Sequence, residues 1–224
     1  FVHLLGQKER IFGARSTHPG LSRYPTSRWA PEDAFCDNLP ILVEERTPAP
    51  AVYQVEIGWF KPGEDERLPA YNADGVPIEL VLLDRIKIAP EAYVEVETPN
   101  QLDANLGGII ALLGYDVSQS QIQNSQSLTV TLYWKALKPV PLDYTAFVHL
   151  AAPDGPPYAQ DDCQPQRSTY PTSFWDTGEV VVDPHTIVIP HDLPPGDYPL
   201  VAGLYLLETG ERLRWLTPDG TPRG

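Results

Sequence analysis

Side chains able to do acid–base, nucleophilic or metal chemistry are thinly spread along this 224-residue chain, which has five histidines and two cysteines. His3 and His149 occupy the same place in two copies of Phe-Val-His-Leu, each between apolar neighbours, and read as strand histidines hydrogen-bonded at a sheet rim. His18, His185 and His191 have no counterpart, and no His-x-His pair occurs, so no metal centre is expected. Two cysteines are too few for a disulfide scaffold or a Cys-based structural zinc site. Asp154, Asp161 and Asp162 offer oxygens of the kind calcium takes. Their register, however, places Arg15 and Ser16 opposite Asp161 and Asp162, so those acids do not belong to a shared scaffold. Glycoside hydrolysis would need two facing carboxylates. The acids shared by both halves are Asp37 and Asp183, Glu66 and Glu211, Asp74 and Asp219, and the last two pairs sit in turn-like contexts. No Gly-x-Ser-x-Gly elbow and no glycine-rich phosphate loop occurs. Neither catalysis nor a cofactor is expected.

The most distinctive block is Tyr-Pro-Thr-Ser-x-Trp, present at Tyr24 to Trp29 and again at Tyr170 to Trp175. Proline fixes the backbone there, and the hydroxyls can bond back to nearby amides as turns do. Two readings follow. One is a rigid loop whose Tyr and Trp plug the open end of a sandwich, since large aromatics bury well. The other is a sugar platform, with flat rings for a pyranose and polar groups for its hydroxyls. On that reading the glycan contacts are Tyr24, Trp29, Tyr170 and Trp175, with Arg23 and Thr169 beside them. Packing is the preferred reading of the two.

These blocks belong to a larger repeat. Phe1-Val-His-Leu4 recurs at Phe147 and Tyr24-Pro-Thr-Ser27 at Tyr170, both at an offset of 146, and Asp37 and Asp183 keep that register. After a slip of one residue, Tyr53, Gly58, Glu66-Arg-Leu68 and Asp74-Gly75 match Tyr198, Gly203, Glu211-Arg-Leu213 and Asp219-Gly220 at an offset of 145. Separate blocks holding one register mark a tandem duplication with a unit of about 146 residues. Leu106 to Thr145 has no counterpart before Phe1, and Ile78 to Ile88 has none after Gly224. The chain therefore reads as a piece of a longer polypeptide. Its first copy, 1–99, lacks leading strands, and its second, 100–224, lacks the last strand. Cys36 aligns with Val182 and Cys163 with Thr17, which excludes a bridge within one copy. A bridge between copies stays open, and two buried free thiols are the preferred state.

Leu128 to Trp134 alternates apolar and polar residues, the mark of a half-buried strand, with Leu128, Val130, Leu132 and Trp134 facing the core. Tyr144 to Ala151, Val180 to Val182, Thr186 to Ile189 and Tyr198 to Leu207 read as further strands, separated by Gly/Pro turns. Glu208-Thr-Gly-Glu211 and Gly63-Glu-Asp-Glu66 are hairpin turns by the same reading. With 25 prolines no window holds a helical period, so helix should be minimal. The predicted fold is all-β: two tandem antiparallel β-sandwiches, Ig-like or jelly-roll-like. Gly58 and Gly203 interrupt strands where a bulge or close sheet packing leaves no room for a side chain. The proline-rich stretch from Ala89 to Asn105 is the expected linker.

Composition narrows the partners. Sixteen basic against 30 acidic residues give a net charge of −14, against nucleic acid or an anionic membrane. No apolar run is long enough for a membrane helix, and five Trp, eleven Tyr and six Phe argue against disorder.

Leu112-Leu-Gly-Tyr-Asp116, Leu128 to Trp134, Phe147-Val-His-Leu150, Tyr170 to Trp175 and Gly203-Leu-Tyr205 with Gly210-Glu-Arg-Leu213 together resemble one known pattern. It is that of the β-sandwich domains following the transmembrane part of bacterial membrane proteins of the dolichyl-phosphate-mannose mannosyltransferase-like type. The resemblance spans nearly the whole chain and rests on strand and turn residues. It implies an extracytoplasmic, non-catalytic domain at the cell surface or secreted, in contact with glycan or envelope polysaccharide or serving surface architecture. No transferase residue is carried over. The alternative class is a structural subunit that self-associates through open sheet edges, head to tail, into a filament or surface layer.

Overall fold

The structure is a computed structural model and describes all residues except 35, 65, 94–95, 120, 124–125, 218–219 and 223–224. Pro218 and Asp219 of the second Asp-Gly turn, and residue 65 of the 63–66 turn, lie outside the described residues. The fold is all-β, with antiparallel sheets throughout. The chain divides into two compact units, Phe1–Ala89 and Pro90–Gly224. The division falls ahead of the 99/100 junction because the approach to residue 100 is tied into the second unit. Tyr93 donates its hydroxyl to Asp176 Oδ2 at 3.1 Å.

In the first unit, β1 (Val2–Leu5), β2 (Ile11–Arg15), β3 (Leu42–Val43) and β4 (Ala51–Ile57) are followed by the short pair β5 (Ala70–Tyr71) and β6 (Pro77–Ile78), and then by β7 (Val81–Ile88). The main sheet runs β3-β2-β1-β4-β7. Its core is small: Leu4, Phe12, Ala51 and Tyr53, with Val43, Val55 and Ile88 packed against it. Tyr53 keeps its hydroxyl satisfied by donating to Pro48 O at 2.6 Å, as a buried phenol must.

The second unit contains β8 (Asn100–Leu106), β9 (Ile110–Val117), β10 (Ser127–Ala136), β11 (Thr145–Leu150), β12 (Ala159–Cys163), β13 (Val180–Val188), β14 (Leu200–Tyr205) and β15 (Trp215–Leu216). They form a five-stranded sheet, β13-β10-β9-β8-β15, and a three-stranded one, β12-β11-β14. The period of two in β10 does what it predicts: Leu128, Val130, Leu132 and Trp134 are all buried. Val180 to Val182 and Thr186 to Ile189, expected as separate runs, fall on one strand, β13, that passes through Pro184 and ends one residue short of Ile189. Because β13 is an edge strand, the missing proline N–H breaks no ladder on its outer side. A cleft of about 920 Å³ opens between the two sheets, lined by Leu102, Leu132, Phe147, Tyr198, Val201 and Trp215 among others.

The glycines that interrupt strands hold close packing. A Cβ on Gly58 would meet the Phe1 ring at 2.4 Å, and one on Gly203 the Phe147 ring at 2.8 Å. Each ring is capped by an arginine, Arg67 over Phe1 at 4.8 Å and Arg212 over Phe147 at 4.4 Å. The bridges Phe60–Arg67 and Tyr205–Arg212 close the two hairpins that carry those arginines.

Candidate functional site

Each Tyr-Pro-Thr-Ser-x-Trp loop follows one turn of left-handed helix. Gly20, Leu21 and Ser22 have φ of 63°, 52° and 70°; Gln166, Arg167 and Ser168 have 51°, 56° and 65°. Left-handed backbone costs a non-glycine residue roughly 1–2 kcal/mol, so something must hold each turn. The Ser22 and Ser168 amides donate to His18 O and Gln164 O, both at 2.9 Å. A buried or half-buried aspartate completes the hold: Asp37 Oδ2 accepts from the Gly20 amide at 3.0 Å, and Asp183 Oδ1 from the Gln166 amide at 2.8 Å. After each turn, a 3₁₀ turn (Thr26–Arg28 or Thr172–Phe174) swings the tryptophan back. Trp29 Nε1 then donates to Tyr24 O at 3.2 Å, and Trp175 Nε1 to Tyr170 O at 3.1 Å.

The two loops differ in exposure. Tyr170 is 0% and Trp175 3% exposed, and Tyr170 donates to both oxygens of buried Glu179 at 2.8 and 2.9 Å. Neither ring offers a face to a sugar; in this unit the block packs. Thr169 is half-buried and turned inward, its hydroxyl donating to Gln166 O at 2.7 Å. In the first unit Tyr24 and Trp29 are half-buried and Arg23 is exposed. Trp59, 46% exposed, meets Trp29 edge-on at 5.9 Å. Tyr24 donates to Asp33 Oδ2 at 2.8 Å, which raises the phenol's pKa, mainly through that hydrogen bond. The Asp33 carboxyl is lowered, first by the Ala30 amide and then by Tyr24.

The shared histidines are strand residues with carboxylate partners. His3 Nδ1 lies 2.9 Å from Glu56 Oε2, and buried Glu56 is also paired with Arg67. His149 Nε2 lies 2.8 Å from Asp162 Oδ1. Asp162 is thereby separated in role from its neighbour Asp161, which Arg167 holds at 2.8 Å, so the two acids do not act together on one ion.

A different cluster is assembled at the seam of the second unit's sheets, where β12 meets β13. His185, with no exposed surface, donates from Nε2 to Asp183 Oδ2 at 2.9 Å, and Asp183 also accepts from Trp134 Nε1 at 3.1 Å. Across the seam, Asp161 Oδ2 accepts from the Thr186 amide at 2.9 Å and lies 3.2 Å from His185 Nδ1. That approach is too poorly aligned for a hydrogen bond, and Nδ1 has no hydrogen-bond partner. Cys163 completes the group: one ligand atom each from Asp161, Cys163 and His185 lies within 4.8 Å of the others. Burial works against a charged His185 ring, but the hydrogen bond to Asp183, with the polar Cys163 sulfur and the Asp183 charge beside the ring, outweighs it, pushing the ring up to about 10. Burial likewise works to raise the Asp161 carboxyl, and Arg167, the Thr186 amide and His185 overcome it and hold it low.

The sequence reading missed this cluster because it weighted residues by their presence in both copies. Opposite Asp161, Cys163 and His185 the first copy has Arg15, Thr17 and Leu39; of the group only Asp183 has a like counterpart, Asp37. The alternation of β13 was the available signal, since it puts Asp183 and His185 on the inward face with Val181 and Ile187. The thiols also differ from expectation: both cysteines are free, but Cys36 is exposed and Cys163 half-buried. The chain matches no family model, no curated protein and no solved structure.

Proposed function

We propose that the chain is a non-catalytic, extracytoplasmic β-sandwich module of cell-surface architecture whose copies join head to tail through strand edges. One observation carries this reading: two complementary sheet edges stand open. In the first unit β4 is paired along its length by β7, an eight-residue strand that ends its sheet. In repeat register, the same stretch of the second unit is 196–202, of which Leu200 to Ala202 belong to β14, whose outer side is the edge of its sheet. Among the described residues no strand pairs there. Both edges carry exposed apolar side chains, Leu82, Leu83 and Ile86 on β7, Leu200 and Val201 on β14. Unpaired edges of this kind recruit strands, and a β7-to-β14 contact between copies is heterologous, so it propagates rather than closes. The extracytoplasmic setting is supported by the resemblance noted above, by the acidic composition and by the scarcity of cysteine.

The test is particle mass against concentration, with and without the peptide Val81–Ile88 as competitor. The expected result is concentration-dependent oligomers that shrink when the peptide is added or when Leu83→Lys charges the edge. A monodisperse monomer across the range, unchanged by peptide, would sink the reading. A second reading, glycan contact, is favoured by one observation in the first unit, the half-open Tyr24, Trp29 and Trp59 group. Cell-wall oligosaccharides added to the same samples should quench tryptophan fluorescence if that group binds sugar.

A further inference from the structure

We propose that Asp161, Cys163 and His185 form a site for a borderline-soft divalent cation, Zn²⁺ by its ligand set, which staples β12 to β13 in the second unit. The observation that singles out a metal is the orphaned Nδ1 of a fully buried imidazole. A carboxylate cannot donate, so the 2.9 Å contact to Asp183 requires the proton on Nε2. Once its other proton leaves, the ring presents the Nδ1 lone pair to Cys163 and Asp161. That is the usual arrangement of a metal-bound histidine, whose other nitrogen is oriented by a carboxylate. Asp183 is itself fixed, by Trp134 Nε1 and the Gln166 amide.

The ligand chemistry and spacing agree. Thiolate, imidazole and carboxylate are the three protein ligand types of zinc, at about 2.0–2.3 Å, which sets ligand atoms roughly 3.3–3.8 Å apart in a tetrahedron. The observed set, all within 4.8 Å, reaches that by small side-chain rotations. Arg167 holds Oδ1 of Asp161 at 2.8 Å and leaves Oδ2 facing the ring. Two carboxylates, Asp161 and Asp183, and the Cys163 sulfur surround the imidazole against one guanidinium, Arg167, 3.9 Å from that sulfur. A cation there replaces the ring proton, which is released on binding, as is that of the thiol. With three protein ligands, water takes the fourth position.

The test uses the reduced full-length protein titrated with Zn²⁺ by calorimetry and with Co²⁺ as an optical probe. Expected are one metal per chain and a thiolate-to-cobalt charge-transfer band in wild type and in Cys36→Ser, the control for the other thiol. Cys163→Ser should lose the band, Asp161→Asn should weaken binding at least about tenfold, and Zn²⁺ should protect Cys163 from alkylation. Cys163 and Asp161 are both partly exposed, so each variant should keep the fold, checked by circular dichroism. Absence of the band in wild type, binding by Cys163→Ser as tight as wild type, or alkylation of Cys163 unaffected by zinc would each overturn the site.

Discussion

Asp183 is the residue on which the second unit's interior converges. A carboxylate with no exposed surface loses its hydration, and only dense hydrogen bonding offsets that cost. Asp183 takes three donors, the Trp134 indole, the His185 ring and the Gln166 amide, and so joins β10, β13 and the left-handed turn. Its counterpart Asp37 is half-buried, and the Gly20 amide is the donor it accepts from in the equivalent turn. Asp183→Ala strands a buried imidazole, an indole N–H and an amide at once and should cost about 3–5 kcal/mol. Asp37→Ala removes one partly solvated bond and should cost about 1 kcal/mol. Urea denaturation of the two variants checks this, and equal costs would mean that the shared turn, not the buried network, sets the value of the aspartate. The register of these two acids was legible in the sequence. Their task was not, because apart from His185 the donors they gather come from places 17 and 49 residues away and carry no local pattern.

Strands were legible wherever one face is apolar and the other polar, as along Leu128 to Trp134. β13 shows where that signal fails: its inward positions include Asp183 and His185, and Pro184 lies between them, so hydrophobic alternation breaks in the middle of a continuous strand. The glycines inside strands were legible as places of close packing, though the packing partner was not, since Phe1 and Phe147 reach them across the sheet. Phe147 and Gly203 are direct cross-strand partners on β11 and β14. Phe147 is buried under Arg212, so Gly203→Ala must displace a covered ring and should cost about 1–3 kcal/mol, the range for overpacking a core. Phe1 is only half-buried. Its ring can swing aside, and Gly58→Ala should cost less. Chemical denaturation that ranks Gly58→Ala the worse of the two would mean that the Phe1 ring is held more firmly than its burial implies.

At the scale of the whole molecule, the two units repeat local devices but not the amount of core that surrounds them. The first unit buries Leu4, Leu5, Phe12, Ala51 and Tyr53 among its described apolar residues, around one five-stranded sheet. The second closes two sheets over Trp134, Ile110, Leu132, Phe147, Val148, Tyr170, Trp175 and many others. Buried apolar area stabilises by about 25 cal/mol per Å², so the second core outweighs the first by a wide margin. The net charge of −14 falls mostly on the second unit, where 6 basic face 17 acidic residues, against 10 and 13 in the first, so self-repulsion works mainly against the second. Because each unit has a core of its own, calorimetry should resolve two transitions, the lower belonging to the thinner-cored first unit and the upper rising more with salt as the more highly charged second unit is relieved of repulsion. Tyr170→Phe assigns them: it removes both bonds to the buried Glu179 carboxylate and should lower only the upper transition, by about 4–8 °C for a loss near 1–2 kcal/mol. A single transition lowered as a whole by that substitution would mean that the first unit draws its stability from the second, and that a device repeated in sequence had become one cooperative structure in the fold.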